Sequence, residues 1–183
     1  MDYDPRLHRR RSIRLKHHDY TAPGAYFITI CTHQRQCLFG DIINGEMRLN
    51  EFGQIAADCW QEIPHHFHPV RLDNFVIMPN HVHGILVITD TPRRGMALPC
   101  PYPRQFGKPI AQSISTIVGS FKSAVTKRIN MLRDTPGTPV WQRNYYDRII
   151  RDDLSMQHIR RYIQNNPHAW RIDQLHPANR SPL

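Results

Sequence analysis

The sequence predicts an α+β sandwich, in which helices pack against a small antiparallel sheet. Strand-like and helical stretches alternate in the order strand, hairpin, helix, two strands, helix, strand, helix. Most connections between them are short, which favours antiparallel pairing of neighbouring strands. The 183 residues suit one domain with its own core, and they are too few for two ordinary domains.

Several stretches rich in β-branched and aromatic residues are predicted to be extended: residues 26–32, 37–50, 71–79, 81–89 and 140–151. The second of them alternates around Asn44-Gly45, a strong hairpin signal. Pro79-Asn80 separates the third from the fourth. Those two form either a tight hairpin or one strand broken by a kink.

Three helices are predicted from apolar residues at helical spacing. Asn50 caps the first, and Pro64 ends it. The second spans residues 113–132, with an apolar stripe formed by Ile114, Ile117, Phe121, Val125 and Ile129. Asp152 or Asp153 caps the last, which is predicted to end at Pro167 and has Met156, Ile159 and Ile163 as its core stripe.

The chain is basic, with a net charge of +9 and a pI near 9.8. A basic surface suits a polyanion, nucleic acid first and an anionic membrane second. No basic amphipathic helix stands out, and no apolar run is long enough to span a bilayer. The N-terminus shows no secretory signal, so we expect a cytoplasmic protein without a membrane partner. Its cysteines (Cys31, Cys37, Cys59 and Cys100) are expected to be free thiols.

The predicted organisation has three parts. Residues 1–22 form a basic arm, residues 23–170 form a single domain, and residues 171–183 form a C-terminal tail. Residues 90–108 are rich in proline and are expected to be a mobile surface loop of that domain.

His81 and His83 stand two residues apart in a predicted strand, so their side chains point to the same face while Val82 points to the other. Two imidazoles side by side make two ligands of a metal site, and Gly84 leaves room beside them. The alternative is a pair of histidines hydrogen-bonded on a solvated sheet face. A second cluster (His65, His66 and His68) follows a helix-stopping proline and is expected to be solvated.

The last predicted helix carries Tyr162 and Asn166 one turn apart on one face. The amide oxygen of Asn166 is a candidate third metal ligand, and two imidazoles with one oxygen suit Mg²⁺ or Mn²⁺. The alternative for Tyr162 is an ordinary half-buried aromatic residue. Tyr145 and Tyr146 are competing nucleophile candidates, but adjacent strand residues face opposite ways, so one of the two is expected in the core.

Three stretches carry a resemblance to a known family. They are residues 74–84 (NFVIMPNHVHG), residues 140–151 (VWQRNYYDRIIR) and residues 161–167 (RYIQNNP). In this order and spacing the chain resembles the single-tyrosine transposases of the HUH nuclease superfamily, and specifically the REP-associated tyrosine transposases. The similarity covers about residues 10–170.

The resemblance implies a ferredoxin-like sandwich with a sheet of four or five antiparallel strands. It implies that His81, His83 and Asn166 bind Mg²⁺ or Mn²⁺ and that Tyr162 is the nucleophile. Many insertion-sequence relatives carry Gln at the position of Asn166. The implied reaction cleaves and rejoins single-stranded DNA next to hairpin repeats through a 5′-phosphotyrosine, in DNA transposition, and a homodimer is one possible assembly. Residues expected to contact DNA are Arg9, Arg10, Arg11, Arg14, Lys122, Arg143, Arg148, Arg151 and Arg161, with Arg160 a further candidate.

Two other functions remain open at this point. A hairpin DNA- or RNA-binding protein without catalysis would explain the charge but would leave the geometry of the histidine pair and Tyr162 as coincidence. A metal-dependent nuclease in which water attacks would make Tyr162 structural. Metal-dependent formation of a covalent protein–DNA species separates both from the transposase.

Overall fold

The computed structural model describes residues 19–89 and 112–179. The basic arm up to residue 18 and the whole Pro-rich segment predicted over residues 90–108 therefore lie outside the described residues, as does Cys100. No helix in the described ranges is long and apolar enough to cross a bilayer.

The strands are β1 (Gly24–Cys31), β2 (Gly40–Ile43), β3 (Glu46–Leu49), β4 (Val70–Met78), β5 (His81–Ile88) and β6 (Tyr146–Ile150). The α-helices are α1 (Glu51–Gln61), α2 (Ile63–His66), α3 (Ile114–Leu132) and α4 (Asp153–Ala169). Short 3₁₀ turns occur at His33–Arg35, Trp170–Ile172 and Pro177–Asn179.

Four strands form an antiparallel sheet in the order β4-β5-β1-β6, and β2 and β3 form a separate hairpin. Taken without the hairpin, the chain runs strand, helix, strand, strand, helix, strand, with α1 and α3 as the two helices. That order and the strand arrangement are those of a ferredoxin-like sandwich, so the predicted fold class is confirmed.

Local sequence explains several element boundaries. Asn44 and Gly45 both have positive φ, at 53° and 80°, as a two-residue type I′ turn requires. Residues Met78 and His81 are direct partners, so Pro79-Asn80 is the turn of a tight hairpin and not a kink. Asn50 caps α1 by accepting a hydrogen bond from the Gly53 amide.

Three element predictions need correction. Residues 140–151 were expected to be extended, but β6 covers only Tyr146–Ile150. Pro64 lies in the first turn of the short helix α2, where a proline ring fits, so α1 has already ended at Gln61. Helix α4 continues past Pro167 to Ala169. Proline removes only one helical hydrogen bond there, and its fixed φ suits a helix.

Two apolar clusters lie on opposite faces of the sheet. The larger one packs α1 and α3 against one face and contains Trp60, Val82, Leu86 and the predicted α3 stripe. The smaller one joins α4 to the other face and consists of Ile85, Ile150, Ile159 and Ile163, with Met156 packed beside it. Neighbouring residues of β5 thus face different helices, as strand alternation requires.

Candidate active site and metal centre

His81 and His83 lie on the face of β5 that α4 covers, and both are buried, at 0% and 3% exposure. Their rings form an edge contact with centroids 4.4 Å apart. The expected alternation holds, since Val82 lies in the apolar cluster on the other face. The strand therefore presents two imidazoles to one point beneath α4.

The ring orientation of His81 is set by Asn80. The Asn80 amide nitrogen donates to the carbonyl oxygens of Leu175, at 2.8 Å, and Arg35, at 3.2 Å. Its Oδ1 must therefore accept the hydrogen bond from His81 Nδ1, at 2.8 Å. This leaves the lone pair on His81 Nε2, a buried atom that has no hydrogen-bond partner among the described residues.

His83 is oriented in the same way. Its Nδ1 lies 2.8 Å from Thr29 Oγ1, on the neighbouring strand β1, and Phe27 stacks on its ring. When Nδ1 donates to Thr29, the Nε2 lone pair points toward α4 and accepts a hydrogen bond from the Tyr162 hydroxyl at 3.2 Å. Partners of this kind on the far nitrogen fix the tautomer of metal-binding histidines.

Burial keeps both imidazoles neutral. It lowers the pKa of His81 to about 4, although the Asp173 carboxylate and the Asn166 side chain act in the opposite direction. Burial, with the neighbouring His81, also lowers the pKa of His83 well below its usual range. Neutral imidazoles carry the lone pairs that a cation needs.

Helix α4 adds Tyr162 and Asn166 to this point, one turn apart as predicted. Tyr162 is 46% exposed, and its ring makes edge contacts with those of His83 and Phe27. Burial of the hydroxyl and the nearby Asp173 raise the pKa of Tyr162, while Asn166 lowers it. Asn166 is 1% exposed, and its Oδ1 is a buried acceptor that no described group satisfies.

Asp173 is a candidate site residue that the sequence did not predict, since residues 171–183 were expected to form a tail. One ligand atom each from His81, His83 and Asp173 lie within 4.8 Å of one another. The Asp173 carboxylate accepts hydrogen bonds from Asn166 Nδ2 at 3.2 Å and from the Leu175 amide at 2.6 Å. The turn after α4 therefore folds back and orients Asn166.

The donor atoms of this cluster are suited to bind a cation. An unpaired buried acceptor is costly, and here two of them, His81 Nε2 and Asn166 Oδ1, belong to the same small cluster. Two imidazole nitrogens with amide and carboxylate oxygens are a donor set that suits a divalent ion such as Mn²⁺ or Mg²⁺. Within the described ranges this is the place where such ligands gather, and His65, His66 and His68 are exposed.

The competing tyrosines separate as the alternation predicted. Tyr145 packs against the larger apolar cluster, and Tyr146 is 52% exposed on the opposite side of β6. Gly84 has a different role from the one expected. It faces Trp60, not the histidines, and a Cβ there would overlap the indole ring.

The predicted DNA-contacting residues that the structure describes differ in their surroundings. Lys122 donates its amine to the carbonyl oxygens of Gln142 and Arg143, at 2.6 and 3.0 Å, so it stabilises the chain before β6. Arg160 forms a bidentate ion pair with Asp73 at 2.8 and 2.6 Å. Exposed cations are Arg143, Arg148, Arg151 and Arg161, and Arg9, Arg10, Arg11 and Arg14 lie outside the described residues. Their contacts with DNA remain predictions.

Comparison with known proteins bears on the family and the fold. No family model matches the chain. A protein of Haemophilus influenzae, itself uncharacterised, is 47% identical over 176 residues, which are 95% of this chain and 97% of that protein. The chain therefore belongs to the same family as that protein.

Two solved structures resemble the fold. One is a REP-associated tyrosine transposase bound to a REP hairpin, with a TM-score of 0.56, 15% identity and coverage of 93% of both chains. The other is a candidate transposase from Deinococcus radiodurans, with a TM-score of 0.46, 18% identity and coverage of 83% of this chain and 97% of that one. The first shows that this chain has the fold of a tyrosine transposase, as the sequence resemblance implied.

Proposed function

We propose that this chain, which has a tyrosine-transposase fold, cleaves and rejoins single-stranded DNA through a covalent bond to Tyr162. One observation carries the proposal: the Tyr162 hydroxyl lies 3.2 Å from His83 Nε2, beside the unpaired ligand atoms of His81 and Asn166. A nucleophile, two imidazoles and an amide oxygen from separate parts of the chain thus meet at one point. A purely structural tyrosine would not need unsatisfied ligand atoms around it.

His81, His83 and Asn166 would hold a divalent ion, with the Asp173 carboxylate as orienting group or additional ligand. When bound, Mg²⁺ or Mn²⁺ supplies positive charge that polarises the scissile phosphate and offsets the charge of the transition state. The protein groups do the positioning. Phe27 and His83 hold the Tyr162 ring by edge contacts, and the half-exposed side of the ring is where DNA approaches.

The bond changes balance without an external energy source. The Tyr162 oxygen bonds to phosphorus, and the bond from phosphorus to the 3′ oxygen of the preceding nucleotide breaks. The proton lost by the phenol is matched by the proton gained by that 3′ oxygen. Because the 5′-phosphotyrosine conserves the phosphodiester energy, a second 3′-hydroxyl reverses the step and joins a new end.

The substrate class follows from access and charge. The Tyr162 hydroxyl points at His83, beneath α4, so a phosphate must come to it on a chain that can bend into the site. A single strand can do this more easily than a duplex. The net charge of +9 suits a polyanion, and the structurally similar transposase is bound to a REP hairpin. We therefore propose single strands flanking hairpin repeats as the substrate.

The test uses oligonucleotides that contain a hairpin with single-stranded arms, labelled at either end and incubated with protein and Mn²⁺ or Mg²⁺. Denaturing gels should show a covalent adduct that retains the label 3′ of the cut and disappears with chelator. Tyr162→Phe should form no adduct, and Tyr145→Phe, which keeps its core ring, should form it normally. Cleavage without adduct would instead show hydrolysis by water, and binding without cleavage would show a non-catalytic hairpin-binding protein.

A further inference from the structure

Two exposed side chains of the edge strand β6, Tyr146 and Arg148, lie on the same face of the sheet as the candidate site. In the antiparallel register Tyr146 is opposite Thr29, and Arg148 is opposite Phe27. Thr29 binds His83, and Phe27 contacts the rings of both His83 and Tyr162. Cross-strand partners point to the same side, so both β6 residues border the site directly.

This border is left uncovered by α4. The helix follows β6 in the chain but packs chiefly against β4, where Arg160 is paired to Asp73, and it also contacts β3. Tyr146 is consequently 52% exposed on this face of the edge strand. Arg148 is exposed as well.

The cation beside this ring is available to a ligand. Hydrogen bonds from Ser155 lower the pKa of the Asp152 carboxyl, which caps α4, and the nearby Arg148 adds a smaller lowering effect. Both Asp152 oxygens, however, accept hydrogen bonds from Ser155, at 2.7 and 2.9 Å. Within the described residues Arg148 forms no salt bridge, whereas Arg160 and Arg128 are both paired to carboxylates.

An exposed aromatic ring and a guanidinium two strand positions apart, about 7 Å, match what single-stranded nucleic acid offers. A base stacks on the ring, and an adjacent phosphate binds the guanidinium. We infer that Tyr146 stacks a base next to the scissile phosphate and that Arg148 binds a neighbouring phosphate of the same strand. This inference rests on the proposed function, since it places the strand that Tyr162 cuts.

If Tyr146 stacks a base, DNA binding should depend on its ring and not on its hydroxyl, unlike the case of a nucleophile or a hydroxyl donor. Tyr146→Phe keeps the ring and should bind DNA as the parent does. Tyr146→Ala should weaken binding about tenfold, the size expected for one lost base stack. Met131→Ala is the matched control, because Met131 is also exposed but lies on α3, behind the sheet.

The experiment measures anisotropy of a labelled hairpin oligonucleotide in a Tyr162→Phe background, where no covalent chemistry interferes. Single abasic sites are moved along the single-stranded arm. At one position the abasic site should weaken parent binding about tenfold and should have no further effect on Tyr146→Ala. Arg148→Gln should lower the slope of log affinity against log salt by about 1 at every position.

The outcomes separate the two proposals. If the parent protein does not bind the oligonucleotide, the proposed function fails. If the parent binds but Tyr146→Ala binds equally well, Tyr146 does not stack a base, and the proposed function is unaffected. The same conclusion follows if Tyr146→Ala loses the same affinity on every abasic substrate. Failure of Tyr146→Phe to restore binding would also overturn stacking, since it would assign the effect to the hydroxyl.

Discussion

The two faces of the central sheet serve different purposes. On one face α1 and α3 bury a large apolar cluster with Trp60 and Phe121 at its centre. On the other face α4 covers a cluster of only four buried apolar residues, next to buried histidines whose ligand atoms are unsatisfied. Successive residues of β5 alternate between these environments. Alternate residues of β5 therefore contribute either to the stability of the fold or to the candidate site. Substituting one of two neighbouring residues should affect unfolding, and substituting the other should affect metal binding.

The sharpest test of this division compares His81→Ala with Val82→Ala. The histidine change should reduce Mn²⁺ affinity about a hundredfold or more, since losing a hydrogen-bond partner of a metal ligand already costs up to that much, and it should abolish adduct formation. Val82→Ala should lower the free energy of unfolding by about 2 kcal/mol through a cavity and leave Mn²⁺ binding intact. Calorimetric Mn²⁺ titration and urea unfolding measure the two effects. Equal losses of Mn²⁺ affinity in the two variants would refute the division.

Substitutions at Gly84 and Gly119 test packing on the sheet face that α1 and α3 cover. Gly84→Ala forces a methyl group into the Trp60 ring and should destabilise the fold by about 1–3 kcal/mol. Gly119→Ala meets nothing within 4 Å on α3 and should stabilise the fold by about 0.5–1 kcal/mol. Thermal unfolding of both variants checks this. A stable Gly84→Ala protein would show that the indole ring can move aside.

A substitution at Asp173 tests whether the turn after α4 helps to form the candidate metal site. Asp173→Asn keeps the size of the side chain but removes the charge beside His81 and weakens its hold on the Asn166 amide. Mn²⁺ affinity should fall about tenfold, with little change in unfolding free energy. Asp134→Asn removes the same charge from an exposed turn after α3 and should not change Mn²⁺ affinity. Unaltered Mn²⁺ affinity in Asp173→Asn would remove Asp173 from the site.

The smallest expected effect concerns the ion pair that fixes α4 over the sheet. Arg160 holds the pKa of the Asp73 carboxyl below its usual range. A carboxyl with a lowered folded-state pKa contributes stability above its unfolded pKa, and that stability is lost as the pH falls through the folded pKa. With Arg160 43% exposed, Asp73→Asn should cost about 1 kcal/mol or less at pH 7. The difference from wild type should begin to shrink as the pH falls below about 4 and should close below the lowered folded-state pKa of Asp73; a difference that is independent of pH would contradict the ion-pair explanation.

Local patterns were enough to predict much of the molecule. The period of two in a strand put His81 and His83 on one face, and the Asn44-Gly45 pair fixed a hairpin. Helical spacing put Tyr162 and Asn166 together. These rules work because they depend only on neighbours in the chain. Only the family resemblance predicted that the histidine pair and the Tyr162–Asn166 pair meet at one site, since residue spacing alone does not place α4 over β5.

The features that could not be predicted from the sequence depend on how segments distant in the chain pack together. Asp173 enters the site only because the chain after α4 folds back, held by the Asn80–Leu175 hydrogen bond. Gly84 was expected to leave room beside the histidines, but strand alternation places it with Val82 on the opposite face, and the sequence alone does not reveal that Trp60 fills the space there. The hydrogen bonds of the Lys122 amine to two carbonyl groups distant in sequence could not be predicted either, and its contact with DNA stays a prediction.

The most direct test of the central claim is mass spectrometry of the protein–DNA adduct after digestion with nuclease and trypsin. Cleavage after Arg161 and Arg171 yields residues 162–171, a peptide with a single tyrosine, whereas Tyr145 and Tyr146 fall in residues 144–148. The proposed mechanism predicts a phosphonucleotide on the first peptide, formed only with Mn²⁺ or Mg²⁺ present. A phosphonucleotide on residues 144–148, or cleaved DNA with no modified peptide, would contradict it.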